Sequence, residues 1–170
     1  MIFRIILLMF LFSGTVSAQY PDGTIILSSK KGLIGFVAKG VTGGDQYTHS
    51  QIILRGMVYE SDFPYAKVGP IGHYKRRTTN DYYIPVVPYT SAEVQLMLNK
   101  ANSLVGRSYN LRNYRRPGTP KTHGTWCSPF VGQILNSSGR HALSSHDYYE
   151  PQNLRAATTG THVFYRRVKN

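Results

Sequence analysis

Apolar and polar positions along the chain fall into short blocks, and each block predicts an element. Thr24–Ser28, TIILS, is a β-rich run opened by the Asp22-Gly23 turn and predicts a strand. Leu33, Phe36 and Val37 share one helical face and predict a short, glycine-interrupted helix over Lys31–Gly40, followed by a loop at Gly43-Gly44-Asp45. Residues 48–61, THSQIILRGMVYES, predict two strands around a turn at Arg55-Gly56. Tyr82–Val87, YYIPVV, predicts another strand, with Pro85 pushing it toward an edge or a bulge. Thr90-Ser91-Ala92-Glu93 has the form of a capping box. Val94, Met97, Leu98, Ala101, Leu104 and Val105 then recur at helical spacing until Gly106 stops them. Asn110–Gly124 is a loop rich in Arg, Pro, Gly and Thr. Trp126–Leu135 predicts a second helix, with Pro129 in its first turn where a missing N–H costs little. Residues 162–168, HVFYRRV, predict a last strand. Helices and antiparallel strands within 170 residues imply one α+β domain.

The first eighteen residues, MIFRIILLMFLFSGTVSA, follow a different pattern. Arg4 makes a positive start, Ile5–Phe12 an apolar core too short to span a bilayer comfortably, and Val16-Ser17-Ala18 a small-residue cleavage site. A secretory signal peptide over 1–18, cleaved after Ala18, is therefore expected, with the domain at 19–170 and a secreted or periplasmic location. No Cys follows the small residues, so a bacterial lipid anchor is not indicated, and no later segment is apolar enough to cross a membrane.

Charge narrows the partners. The leader holds one basic residue, so the remainder keeps 19 Lys and Arg against 8 Asp and Glu, a formal charge of +11. Such a balance favours an anionic partner, in the cell wall or a lipid surface. Basic residues come in scattered pairs with no aromatic–basic nucleic-acid motif, and secretion also argues against nucleic acid. His73, His141, His146 and His162 show no metal spacing, and His123 sits in a loop. Neither a metal nor a cofactor is expected.

Candidate chemistry gathers at two places. A two-residue turn at Arg55-Gly56 would set Ile52 opposite Tyr59, Gln51 opposite Glu60 and His49 opposite Asp62. Alternation then puts His49, Gln51, Ile53, Val58, Glu60 and Asp62 on one face, with His49 and Glu60 as diagonal neighbours. A carboxylate beside an imidazole holds its tautomer and raises its basicity. Glu60 is the first candidate for that role and Asp62 the second. The other place is Cys127, the one cysteine of the chain, so it cannot form an internal disulfide. It is a buried filler, an intermolecular link or a reactive thiol. At the start of the second helix, the dipole and free N–H groups would stabilise a thiolate, and a histidine nearby would complete an activated pair.

Five blocks, in order, carry a family resemblance. Thr24-Ile25-Ile26-Leu27 with Tyr47–Ile53, then Val58-Tyr59-Glu60-Ser61, Gly106-Arg107-Ser108-Tyr109-Asn110, Trp126-Cys127-Ser128-Pro129-Phe130-Val131, and Glu150-Pro151-Gln152-Asn153-Leu154 resemble the permuted NlpC/P60 domains of the YaeF/YiiX type. The order His, Glu, Cys is the permuted one. The resemblance implies a papain-like fold, an antiparallel sheet packed on the helix that bears the Cys. It implies thiol chemistry on an amide or ester, with Cys127 as nucleophile, His49 as general base and Glu60 orienting the imidazole. Tyr109 is expected to assist the oxyanion. Departures are Ser50-Gln51 in place of Val-Gly and Pro129 in place of an acidic residue. Gln51 is bulkier than the family's glycine and is expected to project into the site as a substrate contact. The leading expectation is a secreted cysteine amidase or peptidase acting on cell-wall peptides. Alternatives are a thiol acyltransferase or hydrolase of lipid esters or amides, and an inactive basic binding module.

Overall fold

The computed structural model describes residues 20–30, 47–72, 77–110, 125–147 and 149–169, and of Lys30, Arg77 and Thr78 the backbone alone. The expected signal peptide, the helix over Lys31–Gly40, the Gly43-Gly44-Asp45 loop, His73, His123 and most of the Asn110–Gly124 loop lie outside these residues. Among the described residues the fold is α+β. Six strands, β1 (Thr24–Lys30), β2 (His49–Leu54), β3 (Met57–Ser61), β4 (Ala66–Pro70), β5 (Arg77–Pro85) and β6 (His162–Lys169), form one antiparallel sheet in the order β4-β3-β2-β1-β5-β6. Three helices accompany it: α1 (Ser91–Leu104), α2 (Cys127–Ser137) and α3 (Pro151–Ala157).

Strand alternation assigns the two faces of the sheet. Ile25, Leu27, Ile52, Leu54, Tyr59 and Tyr83 point to the helices and pack with Val94, Met97, Ala101 and Leu104 of α1, Phe130, Val131, Ile134 and Leu135 of α2, and Leu154 of α3. Each such side chain taken out of water stabilises the fold by roughly 1.5–3 kcal/mol before entropy is counted. Tyr20, Ile26, Ile53, Val58 and Tyr82 form a smaller cluster on the opposite face.

Several elements match the sequence pattern. Ile52 pairs with Tyr59, Ile53 with Val58 and Leu54 with Met57. The hairpin therefore turns on two residues, and Arg55 and Gly56 both take positive φ, 50° and 71°, as a type I′ turn requires. The capping box is complete: Thr90 Oγ1 accepts from the Glu93 N–H, and the Glu93 carboxylate accepts from the Thr90 N–H. Gly106 follows α1 with φ 83°. Other elements differ. The strand expected over Tyr82–Val87 begins five residues earlier, at Arg77, and ends at Pro85. It is an interior strand between β1 and β6, not an edge; its own extra residue is Thr78, against β1, while the irregularity at Tyr82/Tyr83 puts the extra residue, Tyr165, on β6. The polar stretch of β5 forms because it is paired on both sides. Strand β4, AKVGP, and helix α3 had no clear pattern of their own.

Candidate active site

The hairpin register carries His49, Gln51 and Glu60 to one face, the one opposite the main helix-packed core, with Ile53 and Val58 next along. All three polar residues are buried; His49 is 1% exposed and Glu60 not at all. His49 Nε2 lies 2.8 Å from Glu60 Oε2. Gln51 Nε2 donates to the same oxygen at 2.8 Å. The ammonium of Lys67, opposite Glu60 in the β3–β4 register, stands 3.4 Å from Oε1.

Cys127 is the first residue of α2 and is buried. Two contacts seat the helix start against the hairpin. Ser61 Oγ, at the end of β3, donates to the Thr125 carbonyl at 3.0 Å. Ser50 Oγ, the residue after His49, donates to Ser128 Oγ at 3.2 Å. The indole N–H of Trp126, the N-cap residue, donates to the Tyr149 carbonyl at 2.9 Å and holds the cap from the other side.

Burial works against a charged sulfur, but other groups outweigh it. The His49 imidazole, through its charge and a hydrogen bond, then the Ser50 N–H and the Ser128 hydroxyl, lower the Cys127 thiol from its usual 9.0 to about 7. With Nε2 held by Glu60, the ring nitrogen left for the thiol is Nδ1. The structure thus brings together three residues singled out in the sequence, with the thiol 78 positions after the histidine and 67 after the glutamate: a thiol, an imidazole and a carboxylate in series.

Gln51 is placed differently from expectation. Its amide nitrogen donates to Glu60 Oε2 and its side chain is buried. Tyr109 is half-buried beside Thr125 through a parallel bridge, two residues before the thiol. Asp62, the second candidate to orient His49, accepts its neighbour Phe63 N–H at 2.9 Å, whereas Glu60 bonds the ring directly. His141 and His162 belong to the other end of β1: His162 Nε2 contacts the Gly23 carbonyl at 3.1 Å, and His141 Nε2 contacts the Tyr89 hydroxyl at 2.6 Å. Lys67, Ser50, Ser61 and Ser128 were missed. Lys67 was hidden because its strand was; reading β4 as a return from β3 would have set it opposite Glu60.

This fold has a solved counterpart. The chain is similar to the crystal structure of the metalloprotein YiiX from Escherichia coli O157:H7, DUF1105, with a TM-score of 0.70 over 89% of this chain and 99% of that one. The two sequences are 13% identical, so the likeness is one of fold. No protein-family model matches the chain, and no curated protein matches it at a significant level.

Proposed function

We propose that the protein is a secreted thiol hydrolase of the permuted, papain-like NlpC/P60 type that cleaves amide bonds in cell-wall peptides. The observation that carries the reading is the series Cys127–His49–Glu60, with the thiol lowered to about 7 at a helix start and the imidazole held 2.8 Å from a buried carboxylate. The Cys127 thiolate attacks the carbonyl carbon, and a C–S bond forms as the carbonyl electron pair moves to oxygen. The N–H of Cys127 at the start of α2 donates to that oxyanion, an interaction worth roughly 3 kcal/mol per donor, and the Tyr109 hydroxyl is the candidate for a second. Imidazolium His49 protonates the leaving amine as the C–N bond breaks. It then deprotonates the water that splits the thioester and returns the thiol. The leader sequence and the basic charge support a wall substrate outside the cell.

A second reading keeps the chemistry and changes the substrate. Phe63 and Tyr65, 75% and 51% exposed, flank Pro64, whose carbonyl accepts the Tyr109 N–H. An aromatic rim beside the thiol segment suits an acyl ester or amide of a lipid. Because the structural counterpart is described as a metalloprotein, the donors here were weighed for a cation. Among the described residues, His49, Glu60 and Asp62 bring one ligand atom each within 4.8 Å of one another. They do not fit a metal as they stand. The Gln51 N–H and His49 both address Glu60 Oε2, and the Lys67 ammonium faces Oε1. A cation would compete with hydrogen-bond donors on one side and a like charge on the other, so no step is routed through one.

The test is mass spectrometry of purified peptidoglycan and of lipid vesicles after incubation with the protein. New free amines and shortened stem peptides, lost in Cys127→Ala, are the expected result. Released fatty acid instead would favour the lipid reading. Full activity in Cys127→Ala would overturn both.

A further inference from the structure

We propose that Gln51 and Lys67 are positioning residues of the thiol site, clamping Glu60 between them so that one carboxylate oxygen stays aimed at the His49 imidazole. The inference rests on the thiol-hydrolase reading and goes beyond it, because it assigns work to two residues outside the Cys–His–Glu series.

The three residues form one cross-strand row. Glu60 on β3 faces Lys67 on β4, and Gln51, one residue beyond the Ile52–Tyr59 pair that ends the β2–β3 ladder, reaches Glu60 from the other side. Side chains so paired lie on one face, close enough to touch. Each neighbour takes its own oxygen: Gln51 donates to Oε2 at 2.8 Å, and Lys67 stands 3.4 Å from Oε1. Glu60 is buried completely, so its charge is held by these groups and by His49 rather than by bulk water. A carboxylate with a single partner would be able to rotate away from the ring. With Oε2 engaged by the amide and Oε1 attracted by the ammonium, rotation costs at least one of these interactions. The orientation in which Oε2 meets His49 Nε2 is then the one that satisfies all of them. Among the described residues, the charged and titratable groups around the row include His49, Cys127, Asp62 and Lys67 itself. A mobile or protonated Glu60 would remove the counter-charge of an imidazolium, and with it the support that His49 gives the Cys127 thiolate.

The experiment is the rate of iodoacetamide labelling of Cys127 in the full chain, followed from mildly acidic to alkaline pH. It compares wild type with Gln51→Leu, Lys67→Met and Lys67→Arg. Gln51→Leu should move the labelling midpoint upward by about one pH unit, a tenfold loss of thiolate at mildly acidic pH. Lys67→Met should shift it in the same direction by less, because the ammonium is 35% exposed and screened. Lys67→Arg should return it toward wild type. A purely structural role would lower thermal stability without moving the midpoint. Midpoints of Gln51→Leu and Lys67→Met that coincide with an activated wild type would overturn the proposal and leave the hydrolase reading standing. If Gln51→Leu does not fold, an unshifted midpoint in Lys67→Met, at the sheet edge, is sufficient to overturn it. A wild type that labels like an ordinary free thiol would overturn both.

Discussion

Two buried histidines, His49 and His162, sit near opposite ends of the sheet with different partners. His49, 1% exposed, has the Glu60 carboxylate on one nitrogen and the Cys127 thiol as its other neighbour. His162, 5% exposed, has the Gly23 carbonyl on Nε2 and the Thr161 hydroxyl on Nδ1, with His141 and Arg140 close by. An imidazolium at the first site meets an anion; at the second it would meet further positive charge. Burial, with His141 and Arg140 adding to it and the Gly23 carbonyl opposing, lowers His162 from 6.5 to about 4. Burial therefore does not decide what a histidine does. His49 has a carboxylate beside it, whereas the neutral and cationic surroundings of His162 make that ring resist a proton.

The comparison can be broken from either side. Removing the ring at the proposed active site is the largest perturbation: His49→Ala should lower hydrolysis of the true substrate by about 10²- to 10⁴-fold, the usual worth of a general base. Glu60→Gln, which keeps the shape and deletes the charge, should cost less, about tenfold in thiolate at mildly acidic pH. At the other end the effect is on stability. Because the folded pKa of His162 lies below the unfolded value, the unfolded chain takes up the proton first. Stability is then full above about 6.5 and is lost as pH falls toward about 4. That loss is at most about 3 kcal/mol. His162→Asn should flatten urea-unfolding stability across this window; an unchanged slope would show that His162 is not the group responsible. Smallest is Tyr89→Phe, which deletes the hydroxyl 2.6 Å from His141 Nε2. About 1 kcal/mol of stability should go at all pH values, with catalysis untouched.

How far the sequence showed these two regions differs as well. The candidate site was legible because its key pair lies eleven residues apart on one hairpin, where a two-residue turn fixes register and register fixes faces. Thr90 and Glu93 announced α1 for the same reason: the capping chemistry is local. Lys67 was invisible because β4 is short, holds Gly and Pro, and exists by pairing with β3. Gln51 was assigned to the right face, but parity says nothing about which acceptor an amide will choose. The His162 site was beyond reach, since its partner Gly23 is 139 positions away. The ladder of β5 needs both β1 and β6 before its polar residues become strand.

The claim that ties the site together is that His49 activates Cys127. Its most direct test is the pH dependence of Cys127 alkylation in wild type and in His49→Ala. Wild type should label with a midpoint near the lowered thiol value, about 7, and His49→Ala should move it upward, because burial is then opposed by the Ser50 N–H and the Ser128 hydroxyl alone. Coincident curves for the two proteins would contradict it.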